Sequence, residues 1–165
     1  MNQSSKKLNN LSTILNQISI SILEQIRNQG IDSVLDYSTE DLYRDSFKRV
    51  DINKSLLKPW EDQINTDELS VEIITTMKDD TEIHYHKDAY AVLTILGEWE
   101  GTKEPDGSVY YFGSSEQAFP AKSKITLQAI PGTIHGFRSP SNANPLIFLS
   151  VQSKKIDEDF HVVKS

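Results

Sequence analysis

From about residue 69 to residue 152 the chain is a succession of short β-type runs. Residues 69–77 are rich in Val, Ile and Thr, and similar runs follow at 81–86, 89–100, 108–112, 125–130 and 146–152. Turn signals separate them: Lys78-Asp79-Asp80, Glu104-Pro105-Asp106-Gly107, Phe112-Gly113-Ser114-Ser115, Pro131-Gly132, and the polar stretch from Ser139 to Pro145. Six or more short strands with no helical period between them restrict the fold to an all-β sandwich or barrel.

The first part of the chain has a different period. Leu8, Leu11, Leu15, Ile18, Ile22 and Ile26 recur at three and four positions, which predicts an amphipathic helix. Gly30 is its natural stop, because glycine accepts the left-handed conformation beyond a helix end. Ser38, followed by Glu40 and Asp41, predicts a second helix running to about Val50, and Lys58-Pro59-Trp60 ends the helical part. The expected division is a helical extension over 1–60, packed on a β-barrel domain over 61–165. Ile14, Ile20 and Leu23 widen the apolar face of the first helix, so a dimerisation helix is the alternative to packing on its own barrel.

Composition bounds the function. The chain has 165 residues, 37% of them hydrophobic and 25% charged, which is the make-up of an ordinary globular domain. A net charge of −7 with mixed signs lacks the concentrated positive field that a nucleic-acid partner needs. The absence of cysteine removes disulfides, thiolate metal sites and cysteine nucleophiles, and suits a reducing compartment. Polar residues interrupt the most apolar early stretch, so neither a membrane span nor a signal peptide is expected, and the protein is read as cytoplasmic. No phosphate-binding glycine loop or dinucleotide fingerprint is present; Gly97 and Gly101 lie within a strand-like run and open no helix.

The histidines carry the chemistry. His84 and His86 are separated by one residue in a strand-like run, so both imidazoles project from the same face. A third ligand from another strand would complete a site, and His135, just after the Pro131-Gly132 turn, is the candidate. Imidazole suits zinc, copper, iron and nickel. His161 falls in a polar tail and is read as a surface residue. Glu82 shares strand parity with His84 and His86. It either orients an imidazole or sits at the solvated mouth of the barrel.

The run His84-Tyr85-His86-Lys87-Asp88-Ala89-Tyr90, then six residues and Gly97, resembles the first motif of the cupin superfamily. Pro131-Gly132-Thr133-Ile134-His135 resembles the second, with the proline displaced by one. The resemblance covers about 69–152, roughly half the chain. It implies a mainly β fold, the double-stranded β-helix (the cupin or jelly-roll barrel), with metal ligands facing its interior. The N-terminal helical extension would be added to this. Tyr90 stands where cupins usually carry a glutamate ligand. Three neutral imidazoles would then leave a dipositive charge to be balanced by water, hydroxide or substrate, which favours anionic, chelating ligands.

This set resembles the three-histidine iron subgroup that includes the thiol dioxygenases, whose His-x-His-x-Asp pattern is matched at Asp88. The implied cofactor is a divalent transition metal, Fe(II) first, with Zn, Ni, Mn or Cu as alternatives. Lys58 lies near the position of the arginine that holds the substrate carboxylate in cysteine dioxygenases. Two features of those enzymes are missing: a cysteine for a thioether crosslink, and a tyrosine after the third histidine, near whose place Gln152 stands.

On the cupin pattern Tyr90 faces the metal as a hydrogen-bond donor or ligand, or else simply fills the barrel. Strand parity carried on from Tyr90 sends Val92, Thr94 and Leu96 to the interior, with Trp99 further along and Phe137 beside His135, as a partly apolar substrate pocket. Arg138 has the opposite parity.

The expected function is therefore a metal-dependent cupin, an iron oxygenase or dioxygenase acting on a small chelating substrate such as a thiol. A non-catalytic small-molecule or metal-binding cupin and a cupin isomerase are the alternatives. The expected partners are a small-molecule substrate and a second copy of the chain, with no nucleic acid and no membrane.

Overall fold

The computed structural model describes residues 3–39, 41–43, 47–78 and 83–163. The helical period at the start of the chain becomes α1 (Gln3–Gln29). Leu15, Ile18, Ile22 and Ile26 lie on one face of it and are buried, joined by Ile14 and Leu23, whereas Ile20 is 56% exposed. The helix stops at Gly30, which has φ +88° and donates its N–H to the Ile26 carbonyl at 2.7 Å. No helix among the described residues is long and apolar enough to cross a membrane.

In chain order the strands are β1 (Asp41–Tyr43), β2 (Phe47–Asp51), β3 (Ser70–Thr76), β4 (His84–Tyr85), β5 (Ala91–Ile95), β6 (Val109–Phe112), β7 (Ala118–Pro120), β8 (Thr126–Ala129), β9 (His135–Arg138), β10 (Leu146–Gln152) and β11 (His161–Val162). They form a six-stranded sheet in the order β1-β2-β3-β10-β5-β8 and a five-stranded sheet in the order β11-β4-β9-β6-β7. Neighbouring strands within each sheet run antiparallel. The mainly β architecture with one long N-terminal helix is the expected one. The barrel is not closed, however: the strands remain in two separate sheets that face each other.

The six-stranded sheet is covered on both sides, and alternation along β3, β5 and β10 sorts their side chains between two cores. Ile73, Val92, Leu149 and Val151 face outward and pack with α1 in one cluster. Ile74, Leu93, Ile95 and Phe148 face inward and meet Phe137 of the opposite sheet. α1 thus lies on its own β domain. Arg27, in its last turn, donates from Nε (3.0 Å) and Nη2 (2.8 Å) to Oε1 of the buried Glu100, whose Oε2 accepts the Gly97 N–H at 3.0 Å.

Among the described residues of 38–50, the second helix expected there is not formed. Ser38 does not cap a helix; it donates from its backbone N–H and its hydroxyl to the Asp36 carboxylate, in a short 3₁₀ turn over Tyr37–Thr39. The chain then continues as β1 and β2. β2 pairs with β3 along its whole length and so covers a sheet edge that would otherwise be open. The acidic residues after Ser38 were a local helix signal, and this long-range pairing outweighs it. Residues up to 60 therefore contribute strands to the main sheet as well as a helix.

A candidate metal centre between the sheets

His84 and His135 are paired across β4 and β9, and His86 lies one residue beyond β4. The three rings converge. Centroids are 4.3 Å apart for His84 and His135, and 4.9 Å for His86 with each of the other two. One ligand atom from each lies within 4.8 Å of the others. The turn that precedes the third histidine is tied to the first motif, because Gly132, at φ +85°, donates its N–H to the His86 carbonyl at 2.7 Å. A left-handed φ at that point explains the glycine.

The surroundings set the tautomers. His86 Nδ1 lies 2.6 Å from the Asp159 carbonyl oxygen, and His135 Nδ1 lies 2.9 Å from that of Thr133. A carbonyl only accepts, so both Nδ1 atoms carry the proton and each Nε2 keeps its lone pair, the state a metal requires. Burial, reinforced by the neighbouring imidazoles, holds His84 well below its usual range and brings His135 down to about 4. Burial also lowers His86, against the Asp159 carbonyl that stabilises its charged form. The cluster is therefore neutral near pH 7, and its donor set fits a divalent transition metal.

Phe160 stacks on His84, with centroids 4.2 Å apart and planes at 24°. It belongs to the C-terminal segment, which returns to the five-stranded sheet as β11 beside β4. Asp159 anchors that return. Its carboxylate accepts the N–H groups of Lys87, Asp88 and Ala89, each at 2.8 Å. A cleft of about 530 Å³ of atom-free space, counted out to its mouth, opens onto the three histidines. Its walls are mainly apolar, with Leu93, Phe137, Phe148 and Phe160 prominent, and Ser150 and Gln152 of β10 add polar groups.

Of the residues singled out from sequence, His84, His86, His135 and Phe137 meet at this cleft. Tyr90, Val92 and Thr94 do not. Tyr90 and Val92 pack in the α1 cluster on the other side of the sheet, and Thr94, on the same face as Val92, pairs its hydroxyl with that of Thr126 at 3.0 Å. Leu93 lines the cleft in their place. The alternation argument failed because the chain is not one strand from His84 to Gly97. Residues 87–90 leave the sheet to meet Asp159 and Ser153, and the face count restarts at β5.

Lys58 is exposed in a 3₁₀ segment, Lys54–Trp60, and does not line the cleft. Trp99 sits in a 3₁₀ turn rather than a strand, 63% exposed, with Lys124 Nζ 4.3 Å from its ring centroid. Asp88 is exposed, 3.9 Å from Lys154. Glu82 lies outside the described residues. Arg138 is exposed and does not line the cleft. His161, expected in a surface tail, is a half-exposed member of β11 whose Nε2 donates to Asp159 Oδ1 at 3.1 Å.

Sequence reasoning missed Phe160 and Asp159, and on β10 it named Gln152 only as standing near the place of a missing tyrosine. The apolar pattern Phe160-His161-Val162-Val163 was the available signal for a last strand.

No family model matches the chain, and no curated protein does. Solved structures do. An uncharacterized conserved protein with a double-stranded β-helix domain from Klebsiella pneumoniae is 16% identical, with TM-score 0.51, over 78% of this chain and 94% of that one. Pac13 of Streptomyces, described as a nucleoside dehydratase, is 14% identical, with TM-score 0.51, over 79% and 89%. The polyketide cyclase RemF from Streptomyces resistomycificus is 9% identical, with TM-score 0.52, over 77% and 80%. At these identities the likeness is one of fold, and the fold is the double-stranded β-helix.

Proposed function

We propose that the protein is a mononuclear metal-dependent enzyme of the cupin type, an iron(II) oxygenase that acts on a small chelating substrate such as a thiol. The observation that carries this reading is the set of three converging, neutral imidazoles, the two buried ones, His86 and His135, fixed by carbonyl oxygens with Nε2 unprotonated. His84, His86 and His135 would be the ligands. A bound iron(II) ion would supply the electrons and open positions that dioxygen chemistry needs. The chain's own part is to hold the rings in place, to exclude water with Phe137, Phe148 and Phe160, and to confine the substrate beside them. No ligating carboxylate belongs to the cluster among the described residues, so an anionic donor on the substrate would be the group that balances the charge. Tyr90 is given no catalytic role, because its side chain packs towards α1.

Anaerobic purification followed by metal analysis tests the site. One divalent metal per chain is expected in the wild type and none in a folded His135→Ala variant. Oxygen uptake by the iron-loaded protein across a panel of thiols and diketones tests the reaction. Full metal occupancy in His135→Ala would refute the site. A loaded protein that takes up no oxygen with any of the panel would refute the oxygenase.

A further inference from the structure

The cleft contains a polar atom with no hydrogen-bond partner among the described residues. Gln152, the last residue of β10, is 2% exposed and lines the cleft, yet its amide nitrogen makes no hydrogen bond among the described residues. An orphaned buried amide costs about 1–3 kcal/mol, which a ligand group that completes its hydrogen bond would recover. A carboxamide can turn about its last bond and present either N–H₂ or C=O to the cleft. The register fixes its position: Gln152 pairs with Ala91 and Ser70, and it shares the inward face of β10 with Phe148 and Ser150.

None of the described residues lining the cleft is an Asp, Glu, Lys or Arg. A carboxylate or ammonium on the body of a ligand would be buried there without a counter-charge, at high cost. The ligand's charge is therefore confined to the atoms that meet the histidine cluster.

We infer that Gln152 is the specificity-determining residue of this cleft, and that its amide donates to a carbonyl oxygen on a substrate whose body is uncharged. This deepens the three-histidine reading and rests on it. The substrate class is an anionic donor, such as a thiolate, joined to a short neutral carbonyl-bearing chain. A ligand that carries further charge away from the histidine cluster is disfavoured.

The test uses cobalt(II)-loaded protein without oxygen and two thiols of matched shape. 4-Mercaptobutan-2-one has the carbonyl, and 3-methylbutane-1-thiol replaces it with a methyl-bearing carbon. Visible absorption follows binding. The wild type is expected to bind the ketone about fivefold more tightly than the hydrocarbon, the worth of one neutral hydrogen bond. In Gln152→Met the preference should vanish, with affinity for the hydrocarbon unchanged within about twofold. Independently of any variant, the Gln152 side-chain amide ¹⁵N resonance of the zinc-loaded wild type should move on adding the ketone and stay in place with the hydrocarbon.

Equal binding of the two thiols by the wild type, an unmoved amide resonance, or a preference that survives in Gln152→Met would each overturn the inference. A wild type that takes up no cobalt would overturn the histidine site with it. Normal loading without discrimination would overturn the role of Gln152 alone.

Discussion

The Asp159 carboxylate accepts three backbone N–H groups, from Lys87, Asp88 and Ala89, while its own carbonyl receives the Nδ1 proton of His86. One residue therefore closes the turn after the second histidine and aims that histidine's ring. Burial alone would raise its pKa, but the N–H donors and His161 outweigh burial and bring it down to about 2, from an unfolded value near 3.8. A depressed carboxyl contributes stability that is fully present above the unfolded value. It is lost as pH falls from about 3.8 through about 2, and amounts to about 2 kcal/mol. Asp159→Asn replaces one accepting oxygen with a donor and leaves at least one turn N–H unpaired. We expect it to lower stability by about 1–3 kcal/mol and to weaken metal binding roughly 10- to 100-fold, the usual effect of disturbing the group behind a ligand. Chelator competition and urea midpoints measure the two. Unchanged metal affinity in Asp159→Asn would mean that the aim of His86 does not depend on this turn.

Helix α1 presses Ile18 and Ile22 onto the outer face of the sheet whose inner face bears Leu93, Phe148 and Gln152. Ile18→Ala should cost about 2–5 kcal/mol, because the site is fully closed, and Ile20→Ala at an exposed position should stay within about 0.5 kcal/mol. Urea unfolding of both variants checks the assignment. Similar losses at the two positions would mean that the outer side of the helix is also covered, as the dimer alternative requires.

This helix was legible from its period alone, and so were β3 and β10, because each is a local pattern that tertiary contacts reinforce. The three-histidine cluster was legible too, as a spacing on one strand plus a turn. What could not be read were features set by contacts far along the chain. The bend at 87–90 depends on Asp159, so parity carried on from Tyr90 placed Val92 and Thr94 on the wrong side and missed Leu93. The segment 38–50 reads as a helix locally, and its described residues include strands because β3 offers an edge to β2. Phe160 reaches His84 only because β11 returns beside β4.

Across the whole molecule, a sheet covered on both faces leaves little room for charge, and Glu72 is where the fold meets that limit. It lies on β3 opposite Ser150, on the same face as Ile74, and is 2% exposed, with Arg49 Nε 2.8 Å away. Burial raises its carboxyl to about 7, from 4.5 in the unfolded chain. The Arg49 guanidinium pulls in the other direction, and Asp51 and Asp157 add to the rise. The sign follows from proton counts. Between about 4.5 and 7 the folded protein holds a proton that the unfolded chain has released, so stability falls as pH rises through that window. The full cost above it is about 3 kcal/mol. Glu72 by itself favours the fold near pH 5 over pH 8, whereas the depressed imidazoles of His84, His86 and His135 favour it near pH 8, and the Asp159 contribution is constant over that range. Glu72→Gln keeps the shape and removes the carboxyl titration, so its urea midpoint should rise more steeply from pH 5 to pH 8 than that of the wild type. Parallel curves for the two proteins would mean that Arg49 keeps the carboxylate ionised throughout, and that the pair behaves as a closed ion pair and not as a protonated acid at the edge of the inter-sheet core.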